Sequence, residues 1–148
     1  MIVSILAFLV VFTFIVLVHE FGHFLAARKS GVKVYEFSIG FPFSPRLFTL
    51  FHHRETAFTM RLLPLGGFVN FSQESSEDDT ELFQVSHSKR ALILSAGSLF
   101  NILFAFLIFT PVFMIGKHLG PIDALLLSVK TVWEILSGTL IFIVNAFT

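Results

Sequence analysis

The sequence predicts an α-helical polytopic membrane protein with two transmembrane helices, a partial third apolar helix, and a small membrane-associated β-element between the first two. Three observations predict it. Met1 to Val18 carries no charged residue, and only Ser4 and Thr13 interrupt its apolar character. Ala91 to Ile115 is a second uncharged stretch. Each reaches the roughly 17–25 residues that a helix needs to cross about 30 Å of hydrocarbon with its backbone hydrogen bonds made internally. Between them, runs of β-branched and aromatic residues are punctuated by Gly and Pro, as short strands are. Composition agrees, because 55% of the 148 residues are hydrophobic and 21 are Phe, leaving little polar surface for an aqueous shell. The formal net charge of zero gives no reason to expect nucleic acid as a partner. The absence of cysteine excludes disulfides and thiolate metal sites.

The first span occupies residues 1–27. It lacks a basic leader and a small-residue cleavage site, so it reads as a retained helix rather than a signal peptide. Residues 28–90 form the middle region. There "GVKVYEFSIGF" reads as a strand between Gly31 and Pro42, and Arg46 to Arg54 as a connector. "TAFTMRLLPLGGFVNF" reads as a strand, a Pro-Leu-Gly-Gly turn and a short strand, with Leu62 to Asn70 expected as a β-hairpin against the membrane. This β-element of two to four strands is too small to bury its own core, so it should lean on the spans. The acidic stretch "SQESSEDDTE", residues 72–81, reads as a flexible loop. The second span covers residues 91–115. Residues 116–148 form a short external connection and an incomplete third helix, because Ile135 to Phe147 supplies too few apolar positions to span.

Orientation follows from the basic residues. Eight of the ten Lys and Arg lie between the first two spans, with Arg28, Lys29, Lys89 and Arg90 at the span ends. The positive-inside rule then places residues 28–90 in the cytoplasm.

The chemistry-bearing motif is "HEFGH" at the end of the first span. His19 and His23, four apart, share one helix face and can share a metal ion. Glu20, rotated by about 100°, can approach a water there as general base. The bland reading is a helix end where polar side chains snorkel to water. Against it, ionisable residues inside a span are costly and by default functional, and here all three fall at metal-ligand spacing. His52, His53, His87 and His118 read as structural or solvated.

Three ordered stretches, "HEFGHFLAARKSGVKVYEFSIGF", "LLPLGGFV" and "AGSLFNILFAFLIF", together resemble the site-2 protease family of intramembrane zinc metalloproteases, of the bacterial regulator of sigma-E protease type. The resemblance implies Zn²⁺ as cofactor, with His19 and His23 as metal ligands and Glu20 as the catalytic residue. It implies a substrate-binding role for Leu65, Gly66 and Gly67 in a membrane-associated β-loop, and for Asn101 in the second span. An interhelical hydrogen bond beside Gly97 and Ser98 is the alternative role for Asn101. The implied partners are a membrane-anchored protein substrate and the lipid bilayer, in a multi-pass protein of the bacterial inner membrane.

Two features depart from the family. The connection from Lys117 to Pro121 leaves no room for a PDZ domain, and no Asp-Gly dipeptide supplies the family's third zinc ligand. Asp123, Glu134, Asp78 and Asp79 are unconvincing substitutes. The expectation is therefore the N-terminal part of an intramembrane protease, incomplete in its metal ligands. The alternative is a catalytically inactive scaffold or regulator derived from one. A metal transporter ranks last, because it would need more ionisable residues deep in the spans.

Overall fold

The uncharged N-terminal run forms a long helix, α1 (Ile2–Ser30). It stops where Gly31 turns left-handed (φ 84°), a conformation that suits a residue without a side chain, and the Gly31 N–H caps the carbonyls of Ala27 and Arg28. Arg28 and Lys29 in the last turn complement the negative end of the helix dipole. A computed structural model describes residues 1–72 and 81–147. Most of the acidic stretch expected as a loop, with Asp78 and Asp79, lies outside the described residues.

Four strands follow: β1 (Glu36–Ile39), β2 (Arg46–His53), β3 (Thr56–Arg61) and β4 (Gly67–Asn70). They form one sheet in the order β2-β3-β1-β4. β1 runs parallel to β3 and antiparallel to β4. Two expectations are corrected here. Arg46–Arg54 is not a connector, since it supplies β2, which pairs with β3 in a hairpin turning at Arg54 (φ 55°). Leu62–Asn70 is not a hairpin either. The Pro64–Gly67 turn carries the chain across β1, so β3 and β4 flank β1 and never pair with each other. The reason is the neighbour on offer. β1 is the one strand whose first three residues are all buried, and pairing on both edges satisfies its backbone groups.

The sheet holds a buried acid. Glu36 accepts hydrogen bonds from Thr59 Oγ1 (2.6 Å) and Arg61, and pairs with Arg46. Three partners offset the cost of placing a carboxylate there. Beside it, the rings of Phe24, Phe37 and Phe58 pack within 5.6–5.7 Å of one another. Together with Ala27, Val32, Val34 and Ile93 they bury a core that joins α1, the sheet and the third helix.

A short turn of helix, α2 (Glu81–Gln84), precedes α3 (His87–Gly116) and α4 (Pro121–Phe147). The chain divides into two units, Met1–Asn101 and Ile102–Thr148. In the second, Ser128 is fully buried and shares a hydroxyl hydrogen bond with Thr110 (3.1 Å). The third apolar helix is longer than expected. It starts at Pro121, whose fixed φ and missing N–H suit a first helical position, with Asp123 favourable in the first turn. The charges of Lys130 and Glu134 do not interrupt it, because they face each other one turn apart at 3.8 Å. Among the described residues, α1, α3 and α4 are each long and apolar enough to cross a membrane.

Candidate metal centre

The site is assembled by α1 and the first half of α3. Gly22 faces the backbone of α3: a methyl at Gly22 would lie 2.6 Å from the Ala96 carbonyl oxygen. Small residues at such a crossing let two backbones approach, which is how apolar helices pack when no water drives them together. The four-residue spacing puts His19 and His23 on one face, their rings edge to face at 4.7 Å.

Both rings pack against the same residue of α3, Gly97. An added Cβ on Gly97 would lie 2.6 Å from His19 Nε2 and 2.6 Å from His23 Nε2. The absence of a side chain at Gly97 lets both rings lie against the α3 backbone with their Nε2 atoms close together, as two imidazoles sharing one ion need. The opposite edges of the rings are held as well. His23 Nδ1 lies 2.7 Å from the Ile93 carbonyl oxygen. A carbonyl can only accept, so Nδ1 carries the proton and donates it, and Nε2 keeps a bare lone pair. The missing side chain at Gly97, one turn beyond Ile93, leaves that carbonyl open to a second donor. His19 Nδ1 lies 3.3 Å from Asn101 Nδ2. Ile93, Gly97 and Asn101 thus form one stripe on α3 against the histidine face of α1.

Glu20 projects toward the sheet. A methyl on Gly67 would come 3.8 Å from Glu20 Cγ, and the Val69 backbone lies beside the Glu20 carboxylate. β4 is an edge strand of the sheet, and it packs against α1. Gly66 and Leu65 sit further toward the N-terminal end of α1. Thr13 Oγ1 accepts from the Gly66 N–H (3.4 Å) and donates to the Pro64 carbonyl (3.2 Å), which ties the crossover loop to the helix. Leu65 and Pro64 overhang an apolar groove of about 440 Å³ along Leu6 to Leu17 of α1.

The structure therefore brings His19, Glu20, His23, Gly66, Gly67 and Asn101 into one neighbourhood. Among the described residues, no group of three His, Cys, Asp or Glu that could hold a metal is formed. Sequence reasoning missed Gly97, the Ile93 carbonyl, the Val69 backbone and Thr13. Gly97 left a signal: it stands four residues before Asn101, the spacing of His19 and His23, yet by itself a glycine in an apolar helix reads as packing. The backbone groups leave none.

The sequence model of peptidase family M50 matches residues 7–148. A protein of Vibrio cholerae serotype O1 is 41% identical over 118 residues, which is 75% of this chain and 25% of that protein. Protease RseP of Yersinia pestis is 40% identical over 119 residues, 76% of this chain and 26% of its own length. Zinc metalloprotease RasP of Shouchella clausii is 44% identical over 77 residues, 52% of this chain and 18% of its own length. The chain spans between 18% and 26% of the length of these relatives.

Proposed function

The chain belongs to peptidase family M50, and on that premise we propose that it carries the metal-binding part of an intramembrane zinc metalloprotease. The protein hydrolyses peptide bonds of membrane-anchored substrates, as in regulated intramembrane proteolysis. The observation that carries this reading is the close approach of His19 Nε2 and His23 Nε2 to each other at Gly97, with Glu20 next to them on the same helix.

His19 and His23 would hold Zn²⁺, which when bound would supply a Lewis acid and lower the pKa of its water toward ~7. Glu20 accepts a proton from the attacking water at its carboxylate and later returns one to the leaving amine. That carboxylate lies on the side of the sheet, near Gly67 and the Val69 backbone. A helical substrate is unreactive, because its carbonyls are already hydrogen-bonded and sterically covered, so it must be extended. β4 supports that step, since it is the end strand of the sheet near Glu20 and a sheet edge is a template for strand addition. Leu65, Gly66 and Gly67 accordingly contact the substrate backbone. The basic residues at the ends of the first two spans support a multi-pass inner-membrane protein with residues 28–90 in the cytoplasm.

One observation favours a second reading, an inactive scaffold derived from such a protease: among the described residues, no third side chain of ligand type joins the two histidines. Zinc stoichiometry on the purified chain separates the two. The protease reading expects Zn²⁺ uptake that His23→Ala abolishes. Zinc uptake indifferent to both histidines refutes it.

A further inference from the structure

We infer that Thr13 is a positioning residue for the proposed cleavage: its hydroxyl pins the 64–66 crossover loop to the middle of the first span and so fixes the height along α1 at which β4 lies beside Glu20. The inference rests on the protease reading above and deepens it.

Three observations carry it. The first is where the Thr13 hydroxyl goes. Ser95, Ser128, Thr131, Ser137 and Thr139 each donate to the carbonyl four residues back on their own helix, the usual refuge of a hydroxyl in an apolar helix. Thr13 instead reaches across 51 residues of sequence to the Pro64 carbonyl (3.2 Å), and it accepts the Gly66 N–H (3.4 Å). The second is the backbone of the loop. The Leu63 carbonyl takes the N–H groups of Phe41 and Leu65, and the Gly66 carbonyl takes that of Gly40. Thr13 meets two groups that these contacts leave over. It stands about 25 Å, at ~1.5 Å per residue, from the C-terminal end of α1. At that depth along a helix apolar enough to cross a membrane, non-helical backbone must find its partners inside the protein. The third is register. Thr13 and Glu20 lie two turns apart on one face of α1. Between them the contacts advance in step: a methyl on Gly66 would lie 3.4 Å from Val16 Cγ1, and one on Gly67 would lie 2.8 Å from Leu17 Cδ2 and 3.8 Å from Glu20 Cγ.

The loop's other hydrogen bonds fasten it to the sheet, and Thr13 fastens it to the helix. Apolar contacts alone do not fix the height, because the groove along Leu6 to Leu17 offers similar apolar surface at each turn. Hydrogen bonds are directional, and a slide along α1 would strip the Pro64 carbonyl and the Gly66 N–H of their partner in hydrocarbon. A substrate strand laid on β4 takes its height from β4. Misplacing it by ~1 Å relative to a catalytic group costs up to about 10²-fold in rate, so a pin two turns from Glu20 acts on the chemistry without touching it.

The test begins with the cysteine-free 148-residue chain in detergent micelles. A Cβ at Gly66 would lie 3.9 Å from Val16 Cβ, inside the ~3.5–4.5 Å that a disulfide spans, so Val16→Cys combined with Gly66→Cys should cross-link on mild oxidation. Adding Thr13→Val, which keeps the shape and removes the hydroxyl, should slow cross-linking about fivefold or more, as the loss of one hydrogen bond implies. Thr13→Ser should cross-link like the parent pair. In a full-length protease carrying this segment, Thr13→Val should lower kcat by about tenfold or more with KM and zinc content little changed, and Thr13→Ser should restore kcat. A mere loss of fold stability would instead lower zinc content and activity together. Cross-linking as fast in Thr13→Val as in the parent pair overturns the inference. So does a parent pair that fails to cross-link, a result that needs no Thr13 variant to fold, and so does Thr13→Val cleaving at the parent's kcat. If cross-linking follows the hydroxyl but the unsubstituted full-length protein cleaves no membrane-anchored reporter, the Thr13 contact stands and the protease reading falls.

Discussion

Gly97→Ala adds one methyl group to α3 and puts it in the space between the two imidazoles. The new carbon would sit 2.6 Å from both Nε2 atoms and 2.7 Å from His19 Cδ2, where ordinary contact begins at 3.4 Å. Each ring, or the whole helix, must therefore retreat by roughly 0.8 Å. Metal sites tolerate ligand displacements of only about ±0.2 Å, so at least one imidazole is lost as a ligand. The expected fall in Zn²⁺ affinity exceeds about 100-fold, or ~2.8 kcal/mol at ~1.4 kcal/mol per decade. Stability moves much less. Overpacking a tight contact costs ~1–3 kcal/mol, and replacing a helical glycine by alanine returns ~1 kcal/mol. Gly22→Ala is the control. Its methyl meets the Ala96 carbonyl at 2.6 Å and Phe100 Cβ at 3.0 Å and touches neither histidine, so it should cost stability while lowering zinc affinity at least tenfold less. Chelator competition and thermal unfolding in the same detergent measure both quantities. Gly97→Ala binding Zn²⁺ like the parent chain would refute the claim that the two imidazoles at Gly97 hold the ion.

Four other outcomes follow from the same contacts. In a full-length protease carrying this segment, Glu20→Gln should abolish cleavage of a membrane-anchored reporter while metal analysis finds zinc retained, whereas His23→Ala should lose both. Gly67→Ala brings a methyl to 2.8 Å from Leu17 Cδ2 and from the Ser38 carbonyl, so β4 must shift; reporter cleavage should drop by about tenfold or more, with zinc content unchanged, if strand addition at β4 contributes ~1.4 kcal/mol or more. Thr13→Val removes both hydroxyl contacts to the crossover loop, at ~0.5–1.5 kcal/mol each, and hydrogen exchange at Gly66 should accelerate while exchange in β1 holds. A cysteine replacing exposed Lys29 should be labelled by an impermeant maleimide only from the cytoplasmic side in inverted membrane vesicles, and labelling from the outer side would reverse the topology.

Much of the site was legible because it follows from covalent spacing. The i, i+4 histidines and the flanking glutamate needed only a helix, and an apolar run of that length could form little else. The sheet was legible as a set of strands but not as a topology. The strand, turn and strand of Thr56–Asn70 look like a hairpin in sequence, and nothing local reveals that β1 will sit between them; pairing is settled by burial of Phe37 and Glu36 against residues far along the chain. β2 was misread because its exposed pattern carries no apolar alternation. The third apolar helix is longer than Ile135–Phe147 suggests, because Lys130 and Glu134 lie within it. At one-turn spacing they pair with each other, and a helix carries such a pair without ending. The supporting groups of the metal centre, Gly97, the Ile93 carbonyl and the Val69 backbone, were the least legible. A missing side chain and two backbone groups take on chemical meaning only when another helix or strand is placed beside them.

The central claim is that His19 and His23 share one zinc ion through Nε2. X-ray absorption at the zinc edge of the purified, zinc-loaded chain tests it most directly, because imidazole rings give a characteristic multiple-scattering pattern that counts them. The account predicts two imidazole nitrogens at about 2.0–2.1 Å, falling to one in His19→Ala and in His23→Ala. A zinc environment with no imidazole scattering, or one that neither substitution alters, would contradict it.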